Sequence, residues 1–141
     1  MPRIVEAKLS YDISGLCFKV AKELGRFGRE KQYADKFEDL LKDTRIKYVR
    51  EFEIKKFKSG SPAGNRVDFL IEGRILVDFK AKTFITKEDY IQMQRYLKAS
   101  NLELGLIVNF RGSFIKPKRV LNPDFVVSDH SDVNSSNSDR S

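Results

Sequence analysis

The sequence has very little of the chemistry that many hydrolytic and metal sites require. It contains one histidine, one cysteine and no tryptophan in 141 residues. Zinc sites built from cysteine and histidine, Cys-His catalysis and Ser-His-Asp catalysis therefore lack their parts. Any chemistry falls to carboxylates, lysines and hydroxyls, and oxygen ligands of this kind suit a hard cation such as magnesium.

Long apolar runs are missing as well. No segment reaches the ~18 apolar residues of a membrane-spanning helix, and the opening MPRIVEAKLS lacks the apolar core of a secretory signal. The single Cys17 lies on the apolar face of a predicted helix, so we interpret it as part of the core of a protein in a reducing compartment. We expect a cytoplasmic protein that makes no membrane contact.

Charge is the first feature that the chain has in excess. It carries 27 Lys and Arg against 20 Asp and Glu, a net charge of +7. Residues 128–141 contain almost no large apolar side chain, which predicts a disordered polar tail after a domain over residues 1–127. The basic balance favours a polyanionic partner, nucleic acid above all. An interaction protein whose basic face meets an acidic protein or ribosomal RNA is supported by charge alone.

Apolar periodicity predicts two helices, three strands, a third helix and a fourth strand, in that order. The helices are expected over residues 13–24, from about Glu30 to Asp43, and from a Thr86–Asp89 capping box to about Ser100. The strands are expected at 46–55, 66–72, 74–80 and 104–110, before a short strand or coil that follows Lys116. This order indicates an α/β sandwich with a mixed sheet.

Two aspartates and a lysine of the predicted hairpin can form a catalytic set. Asp68 and Asp78 are equidistant from the turn at Gly73, so they should lie opposite or diagonal to each other on neighbouring strands. The period of two places Lys80 on the same strand face as Asp78. Two carboxylates this close repel each other unless a divalent ion lies between them, and such an ion suits phosphodiester hydrolysis. The alternative is a solvated strand face with an exposed ion pair, which contributes under ~1 kcal/mol.

Glu30 is a further candidate. It stands three residues before Tyr33 on the apolar stripe of the second helix, so helical spacing points it toward the interior. There it could supply another oxygen or act through a water. The alternative is that it stabilises the helix N-terminus through the helix dipole.

A series of motifs in a fixed order resembles the GxxExxY proteins of the PD-(D/E)XK nuclease superfamily, over about residues 10–121. The motifs are Ser10-Tyr-Asp-Ile, Leu24-Gly25, Glu30-x-x-Tyr33, Val-Asp68-Phe-Leu-Ile-Glu-Gly, Val-Asp78-Phe-Lys80-Ala, Gln92-x-x-x-Tyr96-Leu-Lys and Gly105-Leu-Ile-Val-Asn109-Phe110. The resemblance implies a restriction-endonuclease-like core. In that core a helix, a three-strand antiparallel meander, a helix and a strand form a mixed sheet flanked by helices.

The same resemblance implies roles for single residues. Asp68 and Asp78 would bind Mg²⁺, with Mn²⁺ as the alternative ion, helped by the backbone carbonyl of Phe79. Lys80 would orient or activate the attacking water, and Glu30 would be the acid from the leading helix.

Substrate contacts are expected at two further places. Gln92 and Tyr96 would match the Q-x-x-x-Y element of the recombination-nuclease branch, which helps shape the site and contact DNA; Tyr96 could instead be ordinary core. Lys116, Lys118 and Arg119 could follow the phosphate backbone or be merely solvated. The favoured substrate is DNA, with RNA open, and a homodimer is a further option.

The sequence departs from the family pattern at two positions. The residue three before Glu30 is Phe27, with Gly28 one place late, and the second acid is Asp78 where the family more often has glutamate. Two hypotheses therefore stay open. The first is a magnesium-dependent nuclease acting on DNA, and the second is a module of the same fold that binds nucleic acid with weakened or lost turnover.

Overall fold

The computed structural model describes residues 4–54 and 65–127. These residues form, in order, α1 (Ala7–Leu24), α2 (Glu30–Lys42), β1 (Tyr48–Glu53), β2 (Arg66–Ile71), β3 (Ile75–Lys80), α3 (Lys87–Ser100), β4 (Leu104–Asn109) and β5 (Lys118–Leu121). The tail predicted over residues 128–141 lies outside them. No helix in the described part of the chain is long and apolar enough to cross a membrane.

The strands form one mixed sheet in the order β1-β2-β3-β4-β5. The first three form an antiparallel meander, β4 runs parallel to β3, and β5 is antiparallel to β4. The parallel step arises because α3 carries the chain back along the sheet before β4 begins. The carboxyl ends of β3 and β4 therefore share one edge with the amino ends of β2 and β5. The predicted mixed sheet flanked by helices is confirmed.

The sheet separates two apolar clusters. The face covered by α1 and α2, here the aromatic face, packs Phe37, Phe69 and Phe79 with ring centroids 5.0, 5.1 and 5.8 Å apart. The face covered by α3, here the α3 face, is smaller and includes Met93 and Leu97. Both clusters are closed to solvent, so each face of the sheet has a core of its own.

Helix α3 lies close to the sheet because β4 contains a glycine at the contact. A Cβ on Gly105 would lie 2.5 Å from the Met93 sulfur and 2.8 Å from its Cγ. The capping box expected at the helix start is present, with Thr86 accepting the N–H of Asp89 and Asp89 accepting the N–H of Thr86. The helix is thus fixed both at its start and in its middle.

Helix α1 begins six residues earlier than apolar spacing predicted, at Ala7 instead of residue 13. Its first turns bury Leu9 and Ser10, and the Ser10 hydroxyl donates to the carbonyl of Ala7 at 3.2 Å. Leu9 stands four residues before Ile13 and extends the same apolar face by one turn, whereas the buried Ser10 carries no apolar signal.

Candidate active site

The hairpin of β2 and β3 brings Asp68 and Asp78 to the same edge of the sheet. Its turn contains Glu72 and Gly73 with positive φ angles of 53° and 65°, as in the tight turns that match the twist of antiparallel strands. The register pairs Phe69 with Val77. One residue further toward the edge, Asp68 therefore comes opposite Asp78, in agreement with their equal distance from the turn.

Strand β2 changes face at Asp68. In a regular strand Val67 and Phe69 would share a face, but Val67 packs on the α3 face and Phe69 on the aromatic face. Glu51 lies opposite Asp68 on β1 and has a positive φ of 55°, and the alternation of β1 changes at that same point. Both strands therefore change the face to which alternate side chains point at the same position, and the regular pairing of β2 with β3 ends there.

The carboxylate of Asp68 replaces the lost backbone partner. Its Oδ2 accepts the N–H of Phe79 at 2.7 Å, a group that the next ladder bond to β2 would otherwise use. Because the N–H and C=O of one strand residue point to the same side of the strand, the carbonyl of Phe79 faces β2 as well. Three oxygen-bearing groups, those of Asp68, Asp78 and Phe79, thus border one gap in the sheet.

Asp68 is half-buried beside a second carboxylate. Burial, followed by the negative charges of Asp78 and Glu30, raises the pKa of Asp68 to about 7, although the N–H of Phe79 acts in the opposite direction. Near neutral pH this pair therefore keeps a proton in the absence of another cation, because two such close carboxylates do not readily ionise together. The site is short of positive charge.

Lys80 supplies the ammonium group of the site. Its Nζ lies 2.9 Å from Asp78 Oδ2 and 4.0 Å from Asp89 Oδ1. Burial lowers the pKa of Lys80, but the carboxylates of Asp78 and Asp89 more than offset this effect, so the pKa is raised. Lys80 is consequently a fixed positive charge at neutral pH and does not act as a base before substrate arrives.

Glu30 reaches the site from the opposite layer. Sequence spacing pointed it inward, and this is wrong: its side chain is exposed at the first turn of α2. Helical spacing fails here because the helix extends past the covering sheet at that turn. Its Oε2 accepts the N–H of Ala81 at 3.3 Å, just beyond the end of β3. Glu30 therefore faces the edge of the sheet where Lys80 ends the strand.

A tyrosine sets the position of that turn. The Tyr33 hydroxyl accepts the N–H of Gly28 at 2.8 Å and donates to the carbonyl of Gly25 at 2.6 Å. A Cβ on Gly28 would lie 3.0 Å from the Tyr33 ring, so the contact depends on glycine at this place. The ring stacks on Phe110 at 4.1 Å. The glycine that is one place late in the motif thus packs directly on the motif tyrosine.

The comparison with protein families agrees with this geometry. A family model for the PD-(D/E)XK nuclease superfamily matches residues 7–120, which is well over half of the chain. The chain belongs to the PD-(D/E)XK nuclease superfamily. No curated protein and no solved structure shows a significant match to it. The resemblance seen in the motifs is confirmed at the level of the superfamily, and the sheet and helices are consistent with its restriction-endonuclease-like fold.

PD-(D/E)XK nucleases generally use divalent metal ions, and the donors of this chain fit such an ion. Asp68, Asp78 and the Phe79 carbonyl offer the hard oxygen ligands that Mg²⁺ prefers. Burial, and after it the charge of Asp78, raises the pKa of Asp68, and a bound cation would oppose both effects. Within residues 4–54 and 65–127, no group of three or more His, Cys, Asp or Glu side chains is arranged around a metal position. A two-carboxylate site is consistent with Mg²⁺, which usually keeps several waters.

Helix α3 places Gln92 and Tyr96 at different depths. Tyr96 is buried in the cluster of the α3 face, and burial followed by the charge of Asp78 raises the pKa of its hydroxyl. Gln92, one turn earlier, is half-buried. Tyr96 is therefore a core residue that also lies near Asp78, and its contact with a substrate stays a prediction.

The three basic residues suggested for substrate binding are divided between two faces. Lys118 lies beside Ile107 on the α3 face, and Lys116 lines a groove on that side. Arg119 points the other way, and its Nη1 donates to Ser10 Oγ at 2.9 Å. The structure brings the two lysines toward the sheet edge of the candidate site but ties Arg119 to the start of α1.

Sequence reasoning missed the second role of Asp89, and Asn109 has a structural role beside it. Asp89 was assigned only to the helix cap, but its Oδ2 also lies 2.6 Å from Lys82 Nζ; Lys82 and Thr86 together outweigh burial and lower the pKa of Asp89. Asn109 holds the chain after β3, since its side chain accepts the N–H of Lys82 at 3.1 Å and donates to the Lys82 carbonyl at 2.7 Å. The short link between β3 and α3 was the available signal, because it forces the first turn of α3 to the edge where Lys80 lies.

Proposed function

We propose that this chain is a magnesium-dependent nuclease that hydrolyses phosphodiester bonds in DNA. The observation that supports it most is the meeting of Asp68 and Asp78 where β2 leaves β3, beside the ammonium of Lys80. A carboxylate pair that keeps a proton in a basic nuclease fold has an unmet need for a cation. A divalent ion supplies that charge, and a phosphate backbone brings its own negative charge to the same place.

In the proposed mechanism, the role of each residue follows from its position in the site. Asp68, Asp78 and the carbonyl of Phe79 hold the metal. Bound Mg²⁺ supplies a Lewis acid that makes a water more acidic and neutralises charge on the phosphate. Lys80, charged at neutral pH, orients the attacking water and stabilises the negative charge that develops on the phosphate oxygens.

Two groups at the rim complete the proposed site. Glu30 accepts a hydrogen bond beyond the end of β3 and is placed to hold a water on the side opposite α3. Tyr96 on α3 lies near Asp78, and Gln92 precedes it by one turn; in this proposal both shape the site and contact the substrate. Lys116 and Lys118 bind phosphates beyond the cleavage point, and Arg119 contributes through the position of β5.

The finer membership that the motifs suggest is the GxxExxY group. The Glu30-x-x-Tyr33 pair supports it, because the tyrosine fixes the turn from which the glutamate projects. Gly28, although one place late, packs on Tyr33 as a motif glycine would need to. We therefore include Tyr33 and Gly28 as positioning residues of the site.

The decisive experiment measures cleavage of plasmid DNA by purified protein with Mg²⁺, and with Mn²⁺ in parallel. Asp78→Ala and Lys80→Ala should each reduce the rate at least a hundredfold, because each removes a group that touches the metal or the reacting phosphate. Matched controls are Asp12→Ala and Lys8→Ala, which break an exposed ion pair on α1. Variants at 78 and 80 that cut as fast as the wild type would refute the assignment.

A binding module without turnover is the second candidate, and one observation favours it. Asp78 stands where the family more often has the longer glutamate, and its carboxylate is paired with Lys80 at 2.9 Å. On this hypothesis the wild type retains DNA with a strong dependence on salt and forms no product with either ion. The variant Asp78→Glu tests the reach directly: if the short side chain limits turnover, Asp78→Glu gains activity.

A cytoplasmic location and the option of a homodimer rest on the sequence alone. Cell fractionation tests the location, and light scattering of the purified protein tests whether it forms a dimer. RNA of the same sequence, offered beside the DNA, decides between the two nucleic acids.

A further inference from the structure

Two phenylalanines project into solvent next to the proposed nuclease site. Phe84, in the link between β3 and α3, is 74% exposed, and Phe114, in the link between β4 and β5, is 91% exposed. Each of these links leaves the sheet at the edge that carries Asp78 and Lys80. An exposed aromatic ring forgoes the favourable burial of its apolar surface, so two such rings at the same edge of the sheet mark a contact surface.

The two rings border one groove. It has a volume of about 350 Å³, and its wall also includes Asn109, Lys116 and Lys118. Asn109 is the register partner of Lys80 across β3 and β4. Because Asn109 lies beside Lys80, the groove adjoins the proposed cleavage site, and one extended ligand can occupy both.

The charge of the groove indicates which kind of ligand it binds. Within the described residues, Lys116 and Lys118 form no ion pair with a carboxylate, whereas Lys80 and Lys82 do. Of these four lysines, the two that form no ion pair therefore line the groove together with the two phenylalanines. Lysines beside exposed aromatic rings match a chain that alternates phosphates with flat bases.

We propose that this groove binds single-stranded nucleic acid, with bases stacked on Phe84 and Phe114 and phosphates on Lys116 and Lys118. The inference rests on the proposed nuclease function and names its substrate class: a single strand, or the unpaired end of a duplex. A duplex keeps its base faces stacked inside the helix, so only an unpaired segment can use the two rings. The groove would then lead the strand across β5 and β4 to the phosphate held at Asp78 and Lys80.

The test uses fluorescence anisotropy in EDTA, which separates binding from turnover. The probes are a labelled DNA single strand of about 16 nucleotides, the RNA of the same sequence, and the corresponding duplex. Phe84→Ala and Phe114→Ala should each weaken single-strand binding about tenfold, and duplex binding less than about threefold. Phe84→Trp and Phe114→Trp should bind as well as the wild type, whereas the leucine variants should resemble alanine, because stacking requires a flat ring.

The matched control is Phe18→Ala. Phe18 is 52% exposed on α1, next to Arg119 and away from the α3 face, so its loss should leave binding of all three probes unchanged. Equal losses on single strand and duplex, or wild-type binding by the alanine variants, would overturn the proposal. Leucine variants that bind like the wild type would overturn it too, since they would point to an apolar partner such as a peptide.

Cleavage assays with Mg²⁺ keep the two proposals apart. If the wild type cuts a single strand and the alanine variants lower kcat/KM with an unchanged kcat, both stand. If the wild type cuts but the phenylalanine variants bind and cut normally, only the substrate class fails. If nothing is cut with either ion while the binding pattern holds, the nuclease function fails and the groove remains a single-strand binding surface.

Discussion

The two faces of the sheet use the same strands for different purposes. On β3, Ile75, Val77 and Phe79 all point to the aromatic face and are fully buried. The alternate residues on the α3 face change along the strand from the buried Leu76 to the half-buried, charged Asp78 and Lys80. On the aromatic face the strand is apolar over its whole length, whereas on the α3 face its last two positions are charged. Stability is therefore concentrated on one side of the sheet, and the other side carries the strained, charged groups.

The largest effect is expected from breaking the aromatic face. Phe37 is fully buried and touches both Phe69 and Phe79, so Phe37→Ala should lower the free energy of unfolding by about 3–5 kcal/mol. Urea unfolding followed by circular dichroism measures this. Phe18→Ala, at a half-exposed phenylalanine, should cost under about 1 kcal/mol. A loss at position 37 no larger than the control would show that the aromatic face is not the stability core.

A smaller effect is expected on the α3 face. Gly105→Ala would place a Cβ against the Met93 side chain, and we expect a loss of about 1–3 kcal/mol from overpacking. Met93→Ala alone should also destabilise the protein because Met93 is buried, but Gly105→Ala should cost less in the Met93→Ala chain than in the wild type, because the atoms that clash are gone. An equal cost of Gly105→Ala in both chains would show that the contact is not the cause.

At the charged end of the α3 face, a substitution should stabilise the protein instead of destabilising it. Below the ordinary pKa of an aspartate, near 3.8, the Asp68 carboxyl is protonated in both the folded and unfolded states. Between there and the folded pKa of about 7 the folded protein alone keeps the proton, so stability from this group is lost as pH rises and is absent above pH 7. Asp68→Asn should therefore be more stable than the wild type at pH 8 in EDTA, by an amount on the order of 1 kcal/mol.

This stability difference should shrink toward zero as pH falls to about 4. Unfolding in urea across a pH series measures it, with Asp12→Asn on α1 as the matched control. Mg²⁺ should stabilise the wild type and leave Asp68→Asn unchanged. A variant less stable than the wild type at pH 8 would contradict the idea that the carboxylate pair is strained without metal.

The smallest loss of stability is expected at Tyr33, where the aromatic face meets the candidate site. Tyr33→Phe keeps the ring on Phe110 but removes the hydroxyl that joins Gly25 and Gly28. We expect a loss of about 1 kcal/mol of stability. If Tyr33 also positions Glu30, activity should fall in Tyr33→Phe but not further in a double variant with Glu30→Gln. Independent losses in the double variant would separate the tyrosine from the glutamate.

Local patterns allowed much of the fold to be predicted. The hairpin around Gly73 and the capping box at Thr86 are defined by residues close together in the chain, and both are confirmed. The neighbouring placement of Asp68 and Asp78 followed from counting to the turn. These are short-range features, and short-range rules describe them well.

What could not be predicted depends on residues far apart in the sequence. The change of face at Asp68 requires Glu51 on another strand to turn over with it. The exposure of Glu30 depends on where the sheet ends beneath α2, and the second role of Asp89 depends on how β3 and α3 meet. None of these is encoded in a periodic pattern, because each arises only when separate elements pack together.

Asn109 imitates a peptide group. Its amide gives one donor and one acceptor to the backbone of Lys82, as a further residue of a neighbouring strand would do. The link that bears Phe84 is thereby tied to β4 by two hydrogen bonds just beyond the six paired positions of β3 and β4. A displacement of β4 would therefore reach the backbone of Lys82, two residues before the exposed Phe84, through the side chain of one amide.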